Sequence, residues 1–237
     1  MTNRRLPALA VLLLIIGVPF ASIARAKRWR KLPPSEFKIA LTTQEADKEL
    51  PPMPALNSLQ DRADLTTLLQ WQKERTPAQC ARARSEWNAG HAENFFGPKF
   101  HILTKSELKM ATPTLHQAFL LTAHYVFAAK NDFKRPRPFV SHVRVEPCVK
   151  KSFSFSYPSG HTAVSRVMAL VLSDIDPTHR TQYMARADEV ALDRILGGVH
   201  YPTDIRAGKK LANLIFADLS KNTRFEKDVN KLRTEWH

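Results

Sequence analysis

From Asp61 onward, apolar residues return every third or fourth position, and almost nothing alternates residue by residue. That spacing lines one face of an α-helix and denies a sheet the period of two that it needs. "DRADLTTLLQWQKE", "TPAQCARARSEWNAGHAENFFG", "TPTLHQAFLLTAHYVFAAK" and the run after Pro158 through Val164, Val167, Met168, Val171 and Ile175 all carry it, as do "PTHRTQYMARADEVALDRIL" and "PTDIRAGKKLANLIFADLS". Two of these stretches open on Thr-Pro, a capping residue followed by a proline at the first helical position. The one strand candidate, "FVSHVRV", lies between prolines. The expected fold is all-α, a single-domain bundle of about six to eight helices with a long loop from about Asn131 to Tyr157.

Residues 1–26 read as a secretion signal rather than as part of the fold. Arg4 and Arg5 precede an uncharged apolar run that ends in Ala24-Arg25-Ala26, a small-x-small cleavage pattern. The run is about long enough to be a retained anchor, but Pro7, Gly17 and Pro19 favour cleavage. Residues 27–60 form a basic, proline-rich extended arm, and residues 61–237 form the helical domain. No later stretch has the length and apolarity of a transmembrane span, which predicts a periplasmic or secreted protein.

The formal charge of +14 attracts anions of every class without choosing among them. The two cysteines, Cys80 and Cys148, are compatible with one disulfide in an exported chain, or with two buried thiols.

The chemistry concentrates in three blocks. "SYPSGHT" puts Ser159 and Gly160 at a helix start, with His161 in the first turn. A histidine cation there opposes the helix dipole unless an anion binds at the free N–H groups. "KNDFKRPRPF" supplies Lys130 and Arg137, and "DRILGGVHYPTD" supplies Arg194, His200 and Asp204. The bland alternatives are a capped helix, a solvated basic loop and a stray surface histidine.

Together these blocks resemble the signature of the phosphatidic-acid phosphatase type 2 superfamily: Lys-x6-Arg-Pro, then Pro-Ser-Gly-His, then Ser-Arg-x5-His-x3-Asp. Within it, the likeness is nearest to the class A bacterial nonspecific acid phosphatases and runs from about Thr122 to Gly208. The resemblance implies an all-helical, metal-independent acid phosphatase, without cofactor, that hydrolyses phosphate monoesters through a phosphohistidine. By the same carry-over, Lys130, Arg137 and Arg194 hold the phosphate oxygens with Ser159 and the N–H of Gly160. His200 is the nucleophile, Asp204 orients it, and His161 protonates the leaving alcohol. The implied partner is a small phosphate ester, with inorganic phosphate or vanadate as a competitive ligand and no specific nucleic acid; a homo-oligomer is compatible with the sequence. A three-cation clamp suits phosphoryl transfer, which asks mainly for positioning and charge stabilisation.

One position departs from the pattern. Asp193 stands where serine usually precedes the arginine, and is expected either to tether Arg194, partly neutralising the clamp, or to face solvent.

Four other readings compete. A lipid or pyrophosphate phosphatase of the superfamily working at a membrane surface keeps the same residues. A vanadate-dependent haloperoxidase also keeps them but is generally much longer. A magnesium-dependent aspartyl phosphatase would use Asp174-x-Asp176-x-Thr178 after a strand, where the periodicity here is helical. A non-catalytic basic anion-binding module would use "KRWRK" and scattered lysines.

Overall fold

The computed structural model describes residues 32–236 and contains no strand among them. The expected secretion signal, residues 1–26, and the start of the expected arm lie outside the described residues. The elements in chain order are α1 (Thr43–Lys48), α2 (Leu59–Glu74), α3 (Pro77–Ser85), α4 (Glu93–Phe96), α5 (Lys105–Phe133), α6 (Pro138–Ser141), α7 (Gly160–Ile175), α8 (Arg180–Leu196), α9 (Pro202–Leu219) and α10 (Thr223–Glu235). Two 3-10 turns, Pro98–Phe100 and Pro177–His179, complete the path. The all-helical expectation therefore holds for the described residues.

Helix α7 is the axis of the bundle and packs against α5, α8, α9 and α10. Its Val164, Val167, Met168, Val171, Leu172 and Ile175 are buried in one continuous core. Burying each such side chain contributes about 1.5–3 kcal/mol. Met168→Ala, at a position 1% exposed, costs about 2–5 kcal/mol by transfer and cavity terms together.

Three local expectations are corrected. Helix α5 was expected to open at Thr112-Pro113; it opens instead at Lys105, where Thr104 and Glu107 form a reciprocal capping box, and Pro113 lies inside the helix. Proline forfeits one backbone hydrogen bond there, which the buried residues on both sides of it outweigh. The candidate strand 139–145 becomes α6 and a turn, since Pro138 occupies the first helical position and no second strand exists to pair with it. The helical run expected through Gly97 stops at Ser85 and resumes only as the single turn α4.

The proline-rich segment lies on the bundle. The Ser35 hydroxyl donates to the Gln117 carbonyl at 2.9 Å, the Leu41 N–H donates to Asp218 Oδ2 at 2.7 Å, and the Tyr157 hydroxyl donates to the Pro51 carbonyl. Cys80 of α3 and Cys148 of the long loop are bonded to each other. Closing a loop of 68 residues stabilises by about 4 kcal/mol on the chain-entropy account.

Candidate active site

The site forms where α5 ends, where α7 and α9 begin, and where α8 hands over to the turn before α9. Its geometry rests on a close approach of two helix starts. The Ser159 N–H donates to the Asp204 carbonyl at 3.0 Å, and a Cβ on Gly208 would sit 2.7 Å from the Ser159 carbonyl oxygen. Glycine at 208 therefore lets α9 lie against the mouth of α7. Gly198, with φ of 72°, turns the chain out of α8 so that His200 enters the site one residue before α9 caps.

Ser159 caps α7: its Oγ accepts from the Thr162 hydroxyl at 2.9 Å and from the Thr162 N–H. The N–H groups of Gly160 and His161 then open the helix mouth with no intrahelical acceptor, where the helix dipole favours an anion.

His200 is 2% exposed. Its Nδ1 lies 3.2 Å from Asp204 Oδ2, and its Nε2 lies 2.8 Å from Arg137 Nη1. A cationic guanidinium can only donate, so Nε2 presents its lone pair and Nδ1 carries the proton to Asp204. Burial and the positive charge of Arg137 hold the imidazole well below its ordinary value, so it is neutral. Burial pushes the Asp204 carboxyl up, but hydrogen bonding from His200, the Arg135 guanidinium and the Ser156 hydroxyl outweigh it and hold the group well below the usual carboxylate range.

The cations around this pair are themselves anchored. Arg137 donates to the Ser154 carbonyl and hydroxyl and to the Val199 carbonyl, and burial pulls it down to about 10. Lys130 donates to the carbonyls of Phe155, Ser156 and Pro158 at 2.6, 3.1 and 2.7 Å. Its three N–H groups are thereby all engaged and tie the loop before α7 to the end of α5, while burial and the charge of Arg137 hold the ammonium well below its ordinary value against Asp204. Arg194 Nη2 donates to Glu86 Oε2 at 2.6 Å and to the Ala83 carbonyl at 2.9 Å, whereas its buried Nε has no partner.

His161 lies on the far side. Its Nε2 is 3.1 Å from the Glu86 carbonyl and its ring packs edge-on to Phe95 at 6.0 Å. Burial, then Arg194 and Arg137, hold it well below its ordinary value. The structure thus brings Lys130, Arg137, Ser159, Gly160, His161, Arg194, His200 and Asp204 together at one place.

Asp193 neither tethers Arg194 nor faces solvent, although its charge does act on the Arg194 guanidinium. It is fully buried and takes a two-pronged ion pair from Arg82, with Nε and Nη2 each at 2.8 Å. Its partner is an arginine on α3, reached because successive residues of α8 face different directions. Asp174 and Asp176 belong to a helix end and a turn, with Asp176 accepting from the Thr178 N–H at 3.1 Å and Asp174 pairing with Arg233 at 3.2 Å. No strand delivers them, which removes the aspartyl-phosphatase reading.

Several residues that complete the site carried no such reading in the sequence. Arg135 donates to Asp204 Oδ1 at 2.8 Å, to Asp61 at 2.9 Å and to Asp64 at 3.1 Å, all buried. Ser156 donates to Asp204 Oδ2. Glu86 holds Arg194. Arg135 stands inside the quoted "RPRPF", but nothing in that run announces three carboxylate partners.

A family model for the PAP2 superfamily matches residues 113–221, a segment that runs from within α5 to beyond the end of α9 and holds every residue of the clamp. That match takes in 109 of the 237 residues, so the chain is similar to the PAP2 superfamily over a little under half of its length. The chain is also similar to the non-specific acid phosphatases of Providencia stuartii, at 34% identity over 113 residues, and of Salmonella typhi, at 36% over 112. Those matches cover 46% of this chain and 46% and 45% of the two relatives, so the similarity spans about half the length of each. In fold, the chain is similar to a bacterial vanadium-dependent iodoperoxidase, with TM-score 0.57 and 18% identity over 82% of this chain and 56% of that one. A transmembrane PAP2-type phosphatidylglycerolphosphate phosphatase from Bacillus subtilis gives TM-score 0.51 and 21% identity over 76% of this chain and 90% of that one. No helix among the described residues is long and apolar enough to cross a membrane.

Proposed function

We propose that this protein is an acid phosphatase that hydrolyses phosphate monoesters through a phosphohistidine, without a metal ion. The observation that carries the reading is the pairing of a neutral, oriented His200 with a buried Arg194 Nε that lacks a protein acceptor. One is a nucleophile with its lone pair presented; the other is a donor suited to a phosphate oxygen.

In the first step the Nε2 lone pair attacks phosphorus, the bond from phosphorus to the leaving oxygen breaks, and His161 gives its proton to that oxygen. Arg137, Arg194, the N–H groups at the start of α7 and the charge of Lys130 stabilise the equatorial oxygens. In the second step water attacks the phosphohistidine while His161 takes its proton, releasing phosphate and restoring His200. Asp204 keeps Nδ1 protonated throughout and balances the charge on the ring.

Both histidines are held well below 6.5 before substrate binds. For His200 this keeps the nucleophile neutral into acid pH. For His161 it means that the proton needed for departure arrives with the substrate, or is acquired once phosphate offsets the two arginines. The falling limb of kcat/KM, which reports the free enzyme, is therefore expected at lower pH than that of kcat, which reports the complex. Coincident limbs across pH 4–9 would contradict this account.

Export after loss of residues 1–26 fits the disulfide, since such bonds persist in oxidising compartments. A second reading, esters with apolar leaving groups at a lipid surface, is favoured by exposed Val140, Val143 and Phe155 on the segments bordering the clamp. The deciding assay is acid-pH turnover of p-nitrophenyl phosphate, glycerol phosphate and vesicle-borne phosphatidic acid in excess chelator. His200→Ala is expected to lower turnover by about 10³-fold or more while retaining vanadate binding. Undiminished turnover by the variant overturns the mechanism, and loss of wild-type turnover on chelation overturns metal independence.

A further inference from the structure

The phosphatase reading leaves Glu86 without a role, although it is the carboxylate most closely bound to the clamp. It caps α3, is wholly buried, and divides its two oxygens between two arginines of α8: Oε1 accepts from Arg186 Nη2 and Oε2 from Arg194 Nη2, each at 2.6 Å. Its backbone carbonyl accepts from His161 Nε2 at 3.1 Å. One residue thus touches a phosphate-binding arginine with its side chain and the leaving-group histidine with its main chain.

With Glu86 Oε2 and the Ala83 carbonyl occupying both N–H groups of Nη2, the Arg194 guanidinium is held in one orientation, which leaves Nη1 and the buried Nε as its donors for substrate. The His161 ring is held from the end of α3, with Nε2 3.1 Å from the Glu86 carbonyl and a further hydrogen bond to the Trp87 backbone, so its orientation is set there.

We propose that Glu86 is the positioning residue of this site, fixing the fork of Arg194 and the orientation of His161 for phosphate-ester hydrolysis. The inference rests on the phosphatase reading. Glu86 touches no substrate atom; it acts through the two residues that do. It is faced by Arg186, Arg194 and Asp193 from α8 and by Arg82 from α3, and His161 is faced by Arg194 and Arg137. Burial, with Asp193 beside it, raises the Glu86 carboxyl to about 7 against the opposing pull of Arg194 and Arg186.

The test is steady-state kinetics from pH 4 to 9 with glycerol phosphate, together with thermal unfolding, for wild type, Glu86→Gln, Arg186→Lys and Glu189→Gln. Glutamine keeps the volume of Glu86 and one acceptor but removes the charge. Glu86→Gln is expected to lower kcat by about 10- to 100-fold with KM within about threefold of wild type, the scale on which supporting residues of a site act. The falling limb of kcat is expected to move to lower pH, because Arg194, whose charge already depresses His161, has lost its counter-charge. Arg186→Lys, which loosens Glu86 from the other side, is expected to move both quantities the same way by less. Glu189→Gln, at the edge of the same network, is expected to leave them unchanged. A purely structural role predicts a lowered Tm with an unshifted pH limb, and that result overturns the proposal. If Glu86→Gln does not fold, an unshifted limb in a folded Arg186→Lys overturns it equally. Absence of wild-type turnover removes the phosphatase reading and this inference together, whereas a Glu86→Gln enzyme equal to an active wild type removes this inference alone.

Discussion

The two histidines of the site are supported in opposite ways. His200 is held locally: Asp204, one helical turn on, takes its Nδ1–H, and the same carboxylate accepts the Tyr201 N–H at 2.9 Å. Arg135 then ties that carboxylate to Asp61 and Asp64 of α2. His161 has no carboxylate of its own. It leans on a main-chain carbonyl of a residue 75 positions away, and the carboxylate of that residue serves the neighbouring arginine instead. The difference matches the demands of the chemistry proposed above. A nucleophile must keep one tautomer and stay neutral, which a charged partner on the far nitrogen secures; a proton shuttle must change state, which a fixed negative partner would oppose.

This contrast can be broken most directly at Asp204. Asp204→Asn is expected to reduce kcat by about 10²- to 10⁴-fold by allowing the wrong tautomer of His200, read in a burst-phase assay of phosphoenzyme formation. A burst of unchanged rate would show that the carboxylate does not orient the ring. Next in size is Arg135→Met, which strands Asp61, Asp64 and Asp204 without their shared cation. It is expected to cost about 3–5 kcal/mol in chemical unfolding, since removing one member of a buried ion cluster leaves the others uncompensated. A loss under about 1 kcal/mol would make the α2 side dispensable.

Replacing both Cys80 and Cys148 by serine sharpens the comparison, because the bond attaches α3, the carrier of Glu86, to the long loop. The expected loss is about 4 kcal/mol of stability, with vanadate affinity falling and phosphohistidine formation per bound substrate nearly intact. The smallest effect lies in the arm. Burial and a hydrogen bond with Asp132 raise the Asp47 carboxyl to about 6, from an ordinary value near 3.8. A raised acid contributes stability that is full below its unfolded value and is lost as pH rises through about 6. Asp47→Asn is therefore expected to be slightly more stable than wild type at pH 7.5 and no more stable at pH 4, in paired thermal melts. A gain at both values would point to a cause other than titration.

Most of the residues gathered at the candidate site were readable in advance because they sit at fixed offsets within short segments: Lys130 and Arg137 around one helix end, Ser159 to His161 at another, Arg194 to Asp204 across one turn. What escaped was whatever depends on segments meeting. Glu86 and Arg194 are 108 residues apart, and Arg135 and Asp204 are 69 apart. Nothing periodic marks such pairs, and each is also a plausible surface residue in a chain this rich in charge. Asp193 failed for the same reason, since its partner Arg82 comes from another helix. Helix α5 illustrates the converse: its start at Thr104 is written in a local capping box, yet the Thr-Pro pair eight residues later is the louder signal.

The bond from the Ser159 amide to the Asp204 carbonyl pins together the two helix ends that carry the candidate site. Thermal agitation that shifts one imidazole carries the other along, so their separation is protected against partial loosening. Heat inactivation should accordingly be abrupt, coinciding with collapse of the whole bundle rather than preceding it.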